Sequence, residues 1–467
     1  MLSPRATGLI TLCLLLSCRI VFGTDPSQVT APSIAPPLPN ATSPTPGTAG
    51  PTDIGNTPGT PAMLALPEQS SGPTNSQISG PVDASNLHKF YTFSVGLRET
   101  YDDNVGTTST NKQTALETEI SPGVVVNFPM ENTQFSAGYS FDATYYTQTA
   151  GTGNNLQYSH RFNAQLSHDF SSRFSLNMGD SLIDSPEPNL YGTTGTPYRD
   201  GQNVSNSFTA GLSAQWTPLF GTSTTYSNTI VRYLDSGDIA AQQDSMENTA
   251  SETCSFTIVP TFSVSFGGIF DTVEYDQDLR GYTSLTGFIG GTWETLPNVT
   301  LSLRVGGSYT ETDQLLADGS TASATQVAPY VDLSGSWQIG ERSSLTADYS
   351  HETTPSDYFG SNAQESDRVS GNFNYQINPL LSTHFQLSYT YSVVSGADIY
   401  LTSSTNSYTE TVYAADLGAS YNFIKYFSVS LDISESGVSS GASSSGVSGS
   451  SLDYNREEVS MGVRGTY

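Results

Sequence analysis

The chain has 467 residues; 13% are charged, against about 25% in soluble proteins, and only 36% are hydrophobic. Its 16 basic and 44 acidic residues give a formal net charge of −28, which leaves no basic surface for phosphates and excludes nucleic-acid binding. Of three cysteines, Cys13 and Cys18 fall in an apolar leader and Cys254 stands alone, which excludes a disulfide framework or a cysteine-rich metal site.

Residues 1–23 read as a secretory signal: Arg5, an apolar run from Leu9 to Leu16, and an exit at Val21, Phe22 and Gly23. A lipoprotein box ending at Cys18 competes with cleavage after Gly23. Residues 24–87 are rich in Pro, Thr, Ser and Gly. Pro36, Pro37, Pro39, Pro44 and Pro46 deny helix and ladder hydrogen bonds, so a disordered periplasmic tether is predicted. No later segment approaches the roughly 18 consecutive apolar residues of a membrane helix. In a membrane such a chain crosses as a closed sheet.

From residue 88 to 467 the pattern has period two. Tyr91, Phe93, Val95 and Leu97 share one side, and Thr92, Ser94, Gly96 and Arg98 the other. Val299, Leu301, Leu303 and Val305 oppose Thr300, Ser302 and Arg304; Val459, Met461 and Val463 oppose Glu458, Ser460 and Arg464. Such alternation marks strands with a different solvent on each face. Short turns fall near Pro129, Ser172, Pro218, Pro260, Pro297, Gly340, Pro379 and Lys425, roughly every 40 residues. Between them lie longer polar connections, at residues 184–203, 235–247, 271–281, 311–323, 353–367 and 434–451 among others.

Eight short turns and nine long loops imply an all-β, up-and-down antiparallel transmembrane β-barrel of 18 strands. Residues 222–235 alternate poorly, so 16 is the fallback. Short turns are expected in the periplasm and long loops outside the cell. A soluble propeller would pack four short strands into each repeat, where this chain holds two. Trp216, Trp293, Trp337, Tyr375 and Tyr421 each sit just before a short turn. Rings that are part apolar and part polar prefer the lipid–water boundary, so these five are expected to form one interfacial girdle.

The stretch Tyr101-Asp102-Asp103-Asn104, closing a strand that begins near Phe93, is followed by Pro122-Gly123. It resembles the opening of the β-barrel porin 2 family of Gram-negative outer membranes. The resemblance implies an outer-membrane barrel, sometimes linked to exopolysaccharide export, with no catalytic residues. The C-terminal Tyr467 is similar to the aromatic-ended signal read by the barrel assembly machinery. Assembly machinery and periplasmic chaperones are then its transient partners, and outer-membrane lipid and lipopolysaccharide its surroundings. A homo-oligomer is compatible with this pattern.

Placing the apolar face on lipid sends Arg98, Asp142, Arg161, Arg304, Asp332, Asp348, Asp416 and Asp432 inward, because Arg or Lys at the lipid midplane costs about 2–4 kcal/mol. They are expected to line the lumen, as simple solvated groups or as a selectivity filter. The acid excess predicts preference for cations. Asp102, Asp103, Asp276 and Asp278 offer oxygen ligands for calcium, although such loop acids are more often solvated or engaged in Asx turns. His88, His160, His168, His351 and His384 form no metal or catalytic spacing. No catalytic residue and no cofactor is expected. The function this supports is passive diffusion of small hydrophilic solutes. A barrel for polysaccharide export or anchoring is the alternative, and an outer-membrane hydrolase has less support.

Overall fold

The computed structural model describes residues 90–148, 154–185, 202–234, 244–276, 280–315, 321–355, 361–396, 408–440 and 453–467. The predicted signal and tether lie outside them. Eighteen strands follow one another: β1 (Tyr91–Asp102), β2 (Ala115–Pro129), β3 (Thr133–Tyr146), β4 (Leu156–Ser171), β5 (Phe174–Ser185), β6 (Asn203–Thr217), β7 (Phe220–Tyr233), β8 (Ser245–Val259) and β9 (Phe262–Tyr275). They continue with β10 (Arg280–Leu296), β11 (Val299–Leu315), β12 (Thr321–Ile339), β13 (Ser343–Pro355), β14 (Ser361–Asn378), β15 (Leu381–Gly396), β16 (Tyr408–Ile424), β17 (Phe427–Ser440) and β18 (Tyr454–Thr466).

Each strand pairs antiparallel with the next, and β1 pairs with β18, so the sheet closes on itself. Closure satisfies the ladder groups that an open edge would leave bare, which lipid cannot do. The base of the seam is sealed by backbone bonds between the last residue and the first strand. The Tyr467 N–H donates to the Phe93 carbonyl (2.8 Å), and the Phe93 N–H to the Tyr467 carbonyl (3.0 Å).

All eight predicted short turns are present, at the ends of β2, β4, β6, β8, β10, β12, β14 and β16. Gly340, in the turn after β12, takes a positive φ of 69°, a backbone angle that glycine adopts without steric cost. The strands run further than the alternation suggested. Residues 271–281, 311–323 and 353–367, expected to be loops, are largely strand: β9 continues to Tyr275, β11 to Leu315, and β14 begins at Ser361. The apolar pattern stops where the outer face leaves hydrocarbon, whereas ladder hydrogen bonding does not depend on side-chain polarity and continues. The poorly alternating stretch after Thr222 is strand β7.

Which face is inside is settled by contacts that skip strands. The Tyr282 hydroxyl of β10 donates to the carbonyl of Thr353 on β13 (2.8 Å), and β10 and β11 both approach β14. Only the interior allows this, so the Tyr282 side is the inner one. The wall is creased there. Gly306 lies opposite Phe288, and a Cβ at Gly306 would stand 2.0 Å from the Gly287 carbonyl oxygen. Gly267 likewise lies beneath the Phe288 ring, 2.7 Å from its Cζ to an ideal Cβ. Glycine at both positions permits the backbone approach that folds the wall inward.

Candidate functional site

Residues paired in register share a face, so the inner side can be followed from Tyr282 around the ring. It carries Arg304 opposite Asp332, then Asp348, Asp416 and Asp432. Across the seam it carries Arg98 opposite Glu119, then Asp142 and Arg161. Carboxylates outnumber arginines on this side, and no described strand contains a lysine. The charges gather in three clusters.

The first straddles the seam. Arg456 of β18 places Nη2 2.6 Å from Asp102 Oδ2, 3.0 Å from Glu458 Oε1 and 3.7 Å from Glu117 Oε1. Arg98 pairs with Glu119 beside it. Asp102 is fully buried, and its other oxygen accepts the Asn104 N–H (2.7 Å), an Asx turn. Asn104, equally buried, donates from Nδ2 to the carbonyls of Asn455 (2.8 Å) and Thr108 (3.0 Å). Asp103 accepts the Glu457 N–H (2.7 Å) and meets Lys112 at 3.4 Å. The Tyr-Asp-Asp-Asn stretch thus fastens the first loop to the last strand. Asp102 ends a strand and is not an open loop acid. The oxygens of Asp102, Glu117 and Glu458 lie within 4.8 Å of one another, but the Arg456 guanidinium is their countercharge. A divalent cation fits only by displacing it. Asp276 pairs with Arg232 (3.2 Å). Asp278 lies outside the described residues.

The second cluster lines the crease. The Arg304 guanidinium sits 5.5 Å from the Phe288 ring centroid, and Arg280 lies over Tyr275 at 3.6 Å. Asp332, Asp348, Glu352 and Arg368 occupy the adjoining inner positions of β12–β14. Tyr282, Phe288 and Tyr330 are at most 5% exposed, and Arg280, Arg304 and Asp332 are buried beside them, so rings and charges fill the crease together.

The third cluster depends on a missing side chain. His384, Gly418 and Asp432 are aligned across β15, β16 and β17. His384 Nε2 lies 2.7 Å from Asp416 Oδ1 and 3.7 Å from Asp432 Oδ1. A Cβ at Gly418 would fall 2.1 Å from His384 Cε1, so only glycine lets the imidazole cross that strand. The inner face of β5–β8, in contrast, is mostly hydroxyl and amide. Ser207 meets Thr229 (3.3 Å), and Thr225 meets Ser251. Charge is therefore spread unevenly around the bore.

On the outer face Trp216, Trp293, Trp337, Tyr375 and Tyr421 all stand exposed beside the short turns. Trp216 donates to Thr222 Oγ1 (3.0 Å) and meets the Phe174 ring edge-on at 5.4 Å. Stacked pairs at the same level, Phe128 with Phe135 and Phe220 with Phe256, extend the row. A second row, unforeseen from sequence, crosses the other end: Tyr101, Tyr145, Tyr158, Tyr309 and Tyr391 are exposed, far from the short turns. Its signal was a tyrosine on the apolar side some 10 residues from several of the short turns, the ~25 Å of an outer-membrane belt. Two rows of rings bounding an apolar band are the surface of a barrel seated in lipid. His160 bonds the Tyr139 hydroxyl (2.9 Å) and His168 the Thr133 hydroxyl (2.7 Å), both on this outer face.

No protein-family model and no curated protein matches the chain. Among solved structures it is similar to OccAB4 of Acinetobacter baumannii, with 12% identity over 82% of this chain and 100% of that one, TM-score 0.42. It is also similar to OpdK of Pseudomonas aeruginosa with vanillate (11%, 81% and 99%, TM-score 0.42). A third is the apoprotein form of the FrpB iron transporter of Neisseria meningitidis (11%, 82% of each, TM-score 0.43). At such scores these likenesses carry no argument about function.

Proposed function

We propose that the protein is an outer-membrane channel that passes small hydrophilic solutes by diffusion. The observation that carries this is the closed ring whose inner face is polar and charged while its outer face is an apolar band between two rows of rings. An 18-stranded ring is wide enough for an aqueous bore. The resemblance to the β-barrel porin 2 family likewise implies an outer-membrane barrel. Conductance of the full chain in a planar bilayer tests it: steady ohmic openings support a porin, and a silent bilayer holding a correctly inserted barrel refutes it.

The acid excess favours cations over anions, and reversal potentials in a salt gradient test that preference. Residues 1–23 and 24–87 are proposed as signal and periplasmic tether, with the long connections outside the cell. N-terminal sequencing of the mature chain distinguishes cleavage after Gly23 from lipidation at Cys18. The backbone bonds of Tyr467 at the seam support its proposed role in assembly. Deleting it should lower the amount of heat-modifiable barrel in outer membranes, and an unchanged amount would remove that role. Polysaccharide export has less support, because most rings of the described strands face outward and the inward Tyr282, Phe288 and Tyr330 are buried in the crease.

A further inference from the structure

One sector of the outer face does not suit lipid. Along β5–β8 the outward side carries Asp180, Asn206, Asn228, Asn248 and Glu252, with Asp180 opposite Ala164 and Asn206 opposite Ile230 on the same face. These groups bond one another. Asn206 Nδ2 donates to Asp180 (3.1 Å), Asn228 Nδ2 and the Tyr226 hydroxyl both donate to Asn248 Oδ1 (2.9 and 2.8 Å), and Thr224 donates to Glu252. Their height matters. A tilted strand climbs about 2.5 Å per residue. Asp180 is six residues above Phe174 of the lower ring row, hence about 15 Å up a band about 25 Å tall. Glu252 is seven residues from the short-turn end of its strand. At that height the remaining wall presents Ile289, Val305, Leu333, Leu387 and Ile433, all exposed. The upper tyrosine row is interrupted over the same strands, where Asp184, Val204 and Met246 take its place.

Hydrocarbon offers no partner to the groups left over. Among the described residues Asp180 Oδ2, Glu252 Oε1, Asn228 Oδ1 and Asn248 Nδ2 have no hydrogen-bond partner. The patch thus holds unspent acceptors and an unspent donor together. A two-fold axis along the membrane normal keeps each group at its own height, and Asn228 and Asn248 are paired in register, so it would set the unspent donor Asn248 Nδ2 of each copy against the unspent acceptor Asn228 Oδ1 of the other, the self-complementarity an isologous contact needs. We propose that the outer face of β5–β8 is the contact surface for a second copy of this chain within the membrane. This rests on the reading that the barrel spans a bilayer.

Cys254 supplies the probe. It lies on the outward side of β8, two residues from Glu252 and opposite Thr222. The full chain, purified from outer membranes and returned to phosphatidylcholine vesicles, is treated with a bis-maleimide whose spacer spans three strands, about 15 Å. The expected product has twice the chain's mass and vanishes with Cys254→Ser. It should fall at least tenfold in Asp180→Leu/Asn248→Leu/Glu252→Leu, whose apolar substitutions suit lipid and leave the barrel heat-modifiable. A heat-modifiable barrel that floats with the vesicles yet yields only single-chain mass, by cross-linking and by mass photometry in nanodiscs, overturns the interface alone. A product containing a different protein does the same. A chain that does not float with vesicles overturns the membrane reading and the interface with it.

Discussion

The hydroxyl of Tyr282 donates across the inside of the barrel to the carbonyl of Thr353, three strands away, at 2.8 Å. The donor is 2% exposed, so the bond pins the crease shut away from water. Tyr282→Phe leaves that carbonyl without its partner, a loss of about 1–3 kcal/mol. The heat-modification temperature should fall. Tyr282→Ala also removes the ring and should raise single-channel conductance. Unchanged conductance in Tyr282→Ala would show that the crease does not narrow the path.

Two neighbouring glycines should respond in opposite ways. A Cβ at Gly306 would stand 2.0 Å from the Gly287 carbonyl, while one at Gly287 meets nothing within 4 Å. Gly306→Ala should cost about 1–3 kcal/mol, as overpacking does. Gly287→Ala should fold like the parent. Yields of folded barrel on a cold detergent gel compare the two. Equal yields would mean that the crease is soft enough to open.

Arg456→Ala should lower the unfolding temperature, since three carboxylates would lose their shared countercharge. Breaking a buried pair from one side costs about 3–5 kcal/mol. Because the oxygens of Asp102, Glu117 and Glu458 already lie within 4.8 Å, millimolar calcium should restore part of the loss in this variant. The parent protein should show no such response. A variant that calcium leaves unstabilised would show that the three oxygens separate once the guanidinium is gone.

Neutralising the acids of the crease should reduce cation preference. Asp332, Asp348 and Glu352 share the inner face beside Arg304 and Arg368. In Asp332→Asn/Asp348→Asn/Glu352→Gln the arginines dominate, and the reversal potential should move toward anion preference. An unmoved potential would place the selective region elsewhere, for example at the seam cluster.

Much of the architecture was legible because its cause is repetitive. Alternation in most strands and a short turn after every second one determine the strand number and which side carries Arg98 or Asp332. Strand ends were not legible. Beyond the hydrocarbon Glu311 and Asp367 no longer alternate with apolar neighbours, yet their backbone groups remain paired. The clusters were invisible for a different reason. Asp102 and Arg456 are 354 residues apart in sequence and meet only because the ring closes. His384 reaches Asp432 only because Gly418, on the strand between them, has no side chain, and a lone glycine in a strand carries no such message.

Strand length also varies around the ring. β12 has 19 residues and β14 has 18, whereas β1 and β5 have 12. With all short turns at one level, the seven additional residues of β12 carry its ladder about 18 Å beyond the ends of β1 and β5. The barrel therefore ends in a slanted lip, stiff because it is still sheet. On its outward side His351 bridges Glu365 and Asp367 (3.1 and 3.0 Å). An antibody, phage or protease arriving from the long-loop side would meet this parapet before it met the bore.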